Sequence, residues 1–226
     1  MTVLSQLSRG AGSGSVRRLA FLIPLAAGCA SGPPARAQAT SAGAVTRVDT
    51  TGADLVPPGF GTLRQEQIAI SVQLQSIQLR AIPLDEGVIR LLSPDSYRAM
   101  RALVEGKRDT VAVLSSRHNL RNPSLWYISF YGVEPDARFS PQEIVIISGG
   151  RDYRPVEILP LSSGFGEQRV RQREVQSAIY IFDGDVNVGQ PLTLSVESIQ
   201  SNSWQNTLQT IDRERTSVRS RAAKKP

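Results

Sequence analysis

From Gln67 onward the chain alternates strictly, with Ile68, Ile70, Val72 and Leu74 separated by Ala69, Ser71, Gln73 and Gln75. Residues two apart in an extended chain point to the same side, so this pattern specifies a strand with one apolar and one wet face. The phase then slips, because Ile77 and Leu79 fall on the opposite parity. A bulge or bend near Gln75-Ser76 would restore the inward face. Ile82-Pro83 ends the run, and Val88 to Leu92 reads as a short second strand.

Further short β segments follow at Thr110–Leu114, Leu125–Tyr131, Glu143–Ile147, Val156–Leu161, Gln168–Val175, Ser177–Phe182 and Leu192–Ile199. Turn-rich stretches separate them, including Arg121-Asn122-Pro123, Gly149-Gly150-Arg151-Asp152 and Asp183-Gly184. One amphipathic helix interrupts the series. Ser93-Pro94 supplies a cap and a proline for its first turn, Tyr97, Met100 and Val104 share one side, and Gly106 stops it. Trp204, Leu208, Ile211 and Val218 recur at helical spacing, with Arg215 interrupting the stripe, and predict a C-terminal helix over about 202–219. Its arginines suit the negative end of the helix dipole. Repeated strand–helix alternation is absent. The fold class expected is mainly β: an antiparallel immunoglobulin-like sandwich with one inserted short helix and a C-terminal helix.

The first 28 residues hold Arg9, Arg17 and Arg18 but no Asp or Glu, then an apolar run from Leu19 to Ala27 broken by Pro24. That is the pattern of a secretory signal, too short to span a bilayer. The run exits through Leu25-Ala26-Ala27-Gly28-Cys29. Here the sequence resembles bacterial lipoprotein precursors, in which small residues precede a lipidated cysteine. The resemblance implies cleavage before Cys29, a diacylglyceryl group on its thiol, and a membrane anchor. Ala30 behind the cysteine matches lipoproteins sorted to the outer membrane. A second reading cuts after Ala37, at the small-x-small site Ala35-Arg36-Ala37, and releases a soluble periplasmic or secreted protein starting at Gln38. Arg17-Arg18 leaves general and twin-arginine export open.

The expected organisation is a signal peptide over 1–28, a flexible tether over 29–65 rich in Ala, Gly, Ser, Thr and Pro, a β-sandwich over 66–200, and a helix with basic tail over 201–226. Cys29 is the only cysteine, so no internal disulfide can form. The formal charge of +6 is carried by the ends, because residues 29–212 hold 17 basic and 19 acidic groups. A nearly neutral domain lacks the basic face that nucleic acid requires, so nucleic acid is excluded as an expected partner. The partners expected are the membrane, through the lipid anchor, and another envelope protein.

Candidate chemistry is sparse. His118 is the sole histidine and has no acidic neighbour in Ser116-Arg117-His118-Asn119. Asp183, Asp185 and Asn187 occupy positions 1, 3 and 5 of a calcium-type loop. Val188 stands where such a loop needs Gly, and Leu194 where it needs Glu, so Asp183-Gly184 reads as a turn. Arg169, Arg171 and Arg173 alternate and would share one face of a strand, either as an anion-binding stripe or as a protected edge. Leu125–Tyr131 is the densest aromatic run, read as a central strand or as a ligand platform. Ser162–Gly166 lacks the spacing of a nucleophile elbow or a phosphate loop. Asp85-Glu86 is an adjacent carboxylate pair on a loop. The surface expected to meet a partner comprises Arg169, Arg171, Arg173, Trp204, Leu208 and Ile211. No cofactor is expected, and the leading function is a non-catalytic envelope binding or accessory module. The alternatives are an envelope hydrolase built from dispersed carboxylates and a subunit of a larger envelope or secretion assembly.

Overall fold

The computed structural model describes residues 55–184 and 186–224. The export segment 1–28, Cys29, the Ala35-Arg36-Ala37 site, most of the 29–65 tether and Asp185 lie outside the described residues.

The fold is mainly antiparallel β with short helices and a C-terminal helix. β1 (Ile70–Gln73) and β2 (Ile77–Pro83) form a hairpin in which Ile70 pairs with Ala81 and Gln73 with Gln78. The parity slip at Gln75-Ser76 is therefore a chain reversal rather than a bulge. Reversal brings Ile77 and Leu79 onto the same buried side as Ile70 and Val72. The turn carries no Gly, Asn or Asp to announce it. The Gln73 side chain braces it, its Nε2–H donating to the Leu74 carbonyl at 2.9 Å.

Three short helices, rather than one, stand between β2 and the next strand: α1 (Glu86–Ile89), α2 (Pro94–Gly106) and α3 (Arg108–Arg117). α2 starts and stops where its proline and glycine place it. Val88–Leu92, expected as a strand, is the end of α1 followed by a turn, with only Leu92 in an isolated bridge to Leu63. An apolar run this short has no period to separate strand from helix, and Val88, Ile89, Leu91 and Leu92 are all buried. Thr110–Leu114, also expected as a strand, lies in α3. Val111 and Leu114 pack at i and i+3 on Ile181, while Val113 points outward, 60% exposed.

β3 (Ser124–Gly132) is the centre of a five-stranded sheet ordered β1-β2-β3-β9-β7, with β9 at Val175–Phe182 and β7 at Glu157–Pro160. A four-stranded sheet is ordered β11-β10-β5-β6, from β11 (Ile199–Ser201), β10 (Leu192–Val196), β5 (Ile144–Ser148) and β6 (Arg151–Tyr153). Gly149 and Gly150 join β5 to β6 with φ of +58° and +76°, the two left-handed residues a tight hairpin needs. The run Leu192–Ile199 is not one strand: Glu197, at φ +55°, turns β10 back into β11. A two-stranded ribbon pairs β4 (Ala137–Arg138) with β8 (Arg169–Val170).

One apolar core draws side chains from both larger sheets and from α4 (Trp204–Ala223). Trp126 and Trp204 meet at 6.2 Å between ring centroids, and Phe130 stacks on Phe139 at 4.2 Å. Val56 and Leu63 are buried in the same core, so the expected tether up to residue 65 includes a stretch that belongs to the folded unit. Its backbone is tied in where the Leu63 N–H donates to Leu91 and the Ser93 N–H donates to Leu63. α4 continues to Ala223, past the expected end at 219, so most of the basic tail is helix. Among the described residues, no helix is long and apolar enough to cross a membrane.

Candidate functional site

A cleft of about 350 Å³ runs along α4. Its floor is apolar, from Val56, Val88, Val188, Leu208 and Ile211, and its rim carries Asp85, Asp212, Arg215 and Arg219. Four separate stretches of sequence meet there, each held by a specific bond. Arg90 anchors the segment before β1 to α1, donating to the Val56 carbonyl at 3.3 Å while its Nε pairs with Glu86 at 2.6 Å. The Trp204 indole N–H donates to the Val188 carbonyl at 3.0 Å, pinning the β9–β10 connection to α4. Asn187 Oδ1 accepts from the Gly189 N–H at 2.9 Å and shapes that connection from within.

The buried side of α4 is Trp204, Thr207, Ile211, Glu214 and Val218, not the stripe that includes Leu208 and Arg215. Those two lie one position off and line the cleft. Trp204 and Ile211, expected on a partner surface, are buried core residues, and Ile211 reaches the cleft only at its floor. Leu208 alone of the three is half-buried at the cleft.

Asp85 brings a carboxyl with a shifted affinity for its proton to the cleft. Burial holds it above the usual carboxylate range, and neighbouring Glu86 acts in the same direction. The nearby N–H groups of Gly87 and Val88 and the Arg215 guanidinium pull the other way without reversing the shift. Asp212 pairs with Arg215 at 2.8 Å. The adjacent carboxylates Asp85 and Glu86 thus part company, one facing the cleft and the other held by Arg90.

The arginine stripe does not form. β8 ends at Val170, and Arg173 turns at φ +64°, so Arg169, Arg171 and Arg173 are exposed on a bent connection rather than on one strand face. Arg171 approaches Glu174 at 3.9 Å. Arg169 and Arg171 border a polar cleft of about 390 Å³, against which the acids Asp136, Glu167 and Glu174 also lie. His118 ends α3 and reaches Glu157 on β7 at 3.2 Å, a partner 39 positions away that local sequence cannot reveal. Gly184 has no left-handed backbone. It is needed because a Cβ would stand 1.8 Å from the Asn122 carbonyl oxygen. The Asp183-Gly184 turn thus starts a connection from one sheet to the other, not a hairpin. Ser162 serves the sheet, its hydroxyl accepting from the Ser177 N–H at 3.0 Å. The aromatic strand is central, as its double-sided apolarity indicates, with Trp126, Ile128 and Phe130 buried. Among the described residues, no group of three or more His, Cys, Asp or Glu side chains is placed to hold a metal ion.

Taken together, the fold and cleft define a mainly antiparallel β protein with a helix-lined groove of mixed apolar and charged character. No protein-family model matches the chain, and no curated protein or solved structure matches it.

Proposed function

We propose that the protein is a non-catalytic lipoprotein of the bacterial cell envelope, a binding or accessory module held at the membrane through Cys29 and facing the periplasm. The basic, then apolar, then small-residue start supports export, and the near-neutral charge of residues 29–212 argues against nucleic acid as the partner. The carrying observation is the α4 cleft: a preformed groove with an apolar floor and a charged rim, the usual character of a recognition site. The partner fitting this reading is another envelope protein. We further read the two larger sheets as facing layers of an immunoglobulin-like sandwich, supported by the single core they share. A photocrosslinking residue placed at Leu208 in living cells tests the module. A defined adduct from Leu208, and none from the exposed Val113 on α3, is expected. Identical patterns from both positions, or no adduct from Leu208, would contradict it.

A second reading, an envelope hydrolase, is favoured by Asp85, since a carboxyl raised by burial in a cleft is suited to general acid work. Turnover of ester, peptide or glycan substrates that is lost in Asp85→Asn would replace the module with the enzyme.

A further inference from the structure

The outer face of the five-stranded sheet is separate from the cleft. Strand register aligns Ser71, Arg80, Ser129 and Ser177 across β1, β2, β3 and β9. One row along, it aligns Gln73, Gln78, Tyr131 and Val175. On the other side of Arg80 the next row contains Ile82, Tyr127 and Ile179. All of these share the face opposite buried Trp126, Ile128 and Phe130. Serines and glutamines on such a face are ordinary, since one side of an antiparallel sheet commonly meets water.

Arg80 is not ordinary. It is half-buried, yet it makes no hydrogen bond or ion pair among the described residues. Its neighbours within the row and on the diagonals are uncharged: serines, Gln73, Tyr127 and Tyr131. A guanidinium presents five N–H donors in a rigid fork matched to a carboxylate, and no carboxylate among the described residues engages this one. Tyr131, 37% exposed, stands in the row on one side of it, whereas the row on the other side is covered, Ile82 and Ile179 being 3% and 0% exposed with half-buried Tyr127 between them. Rows two residues apart are about 7 Å apart, and strands about 4.8 Å, so Arg80, the Tyr131 ring and the side chains of Ser71, Gln73, Gln78 and Ser129 form one shallow platform.

We propose that this face binds an acidic glycan, with its carboxylate on Arg80, a sugar face against Tyr131, and its hydroxyls bonded to Ser71, Ser129 and Gln78. A single positive charge is too little for nucleic acid, whose binding scales with the number of phosphates neutralised. A bare anion would leave the ring and the hydroxyl row unused.

Calorimetric titration of the full mature protein tests this, with oligogalacturonate as probe, a neutral maltooligosaccharide of equal length, and inorganic phosphate. Oligogalacturonate is expected to bind at least tenfold more tightly than either control. Arg80→Gln and Tyr131→Ala should each weaken it at least tenfold. Arg108→Gln, on exposed α3, should leave it unchanged. If Arg80→Gln does not fold, Arg80→Lys carries the test, because it keeps the charge, loses the fork, and should still weaken binding severalfold. Equal binding of the neutral sugar or of phosphate, binding untouched at Arg80, or no binding at millimolar oligogalacturonate would overturn the proposal. None of these outcomes bears on the envelope reading, which rests on the chain's start and on the α4 cleft.

Discussion

Thr62 and Glu214, 152 positions apart, meet at one carboxylate oxygen: the Thr62 backbone N–H and its hydroxyl donate to Glu214 Oε1 at 2.8 and 2.9 Å. Arg221, one further helical stretch along α4, donates to the same oxygen. Glu214 is thus a buried charge held by three donors, and it fastens the segment before β1 to the C-terminal helix. Removing the acceptor strands all three. Glu214→Ala should cost about 2–3 kcal/mol in urea unfolding, and Thr62→Val about 1 kcal/mol, because the N–H bond survives. Equal losses would show that the threonine hydroxyl, not the carboxylate, is the tie.

Tyr180 is fully buried on β9, and its hydroxyl has no hydrogen-bond partner among the described residues. An unmade bond at a buried hydroxyl is costly, so Tyr180→Phe should be neutral or stabilising by about 1 kcal/mol. Burial also pushes the phenol well above the usual tyrosine range. Because the folded value lies above the unfolded one, the associated stability is intact below about pH 10 and falls as pH rises beyond it. The wild type should lose stability above pH 10 faster than Tyr180→Phe, a difference measurable by thermal melts across that range.

Asp85 has the same sign at the acid end. Its carboxyl is raised by burial, so the protonated form favours the fold and ionisation opposes it. Asp85→Asn should be more stable than wild type at pH 7, and the gap should close as pH falls below the unfolded aspartate value. A gap that widens on acidification would reverse the assignment.

Trp204 and Leu208 are four residues apart on α4, with different fates. Trp204→Ala should cost about 3–5 kcal/mol, in line with a fully buried indole packed on Trp126. Leu208→Ala, at the half-buried cleft, should cost about 1 kcal/mol. Chemical denaturation of the two variants separates core from cleft.

Much of the β architecture was legible because its strands declare themselves. The aromatic run at 125–131 is apolar on both sides and sits at the sheet's centre. The Gly149-Gly150 pair makes the hairpin its chemistry demands. Errors gathered where local pattern underdetermines structure. Val88–Leu92 and Thr110–Leu114 are too short to show a period, and burial on all sides in the first, with a chance Val111–Val113 alternation in the second, mimicked strands. The turns at Gln75-Ser76 and Glu197 carry no Gly, Pro, Asn or Asp, so one reversal read as a bulge or bend and another went unseen. The cleft was legible only in fragments. Leu208 and Ile211 showed a helical stripe, but its closure by Val56 and Asp85 depends on contacts across more than a hundred residues. The Glu214 tie and the His118–Glu157 pair are likewise products of tertiary proximity.

Export and anchoring through Cys29, as proposed above, are tested by intact mass spectrometry of the mature protein from envelope preparations. The predicted result is a chain beginning at Cys29 that carries the mass of a diacylglyceryl group, with that species lost in Cys29→Ala. An unmodified chain beginning at Gln38 would contradict the anchor, and an uncut chain beginning at Met1 would contradict export itself.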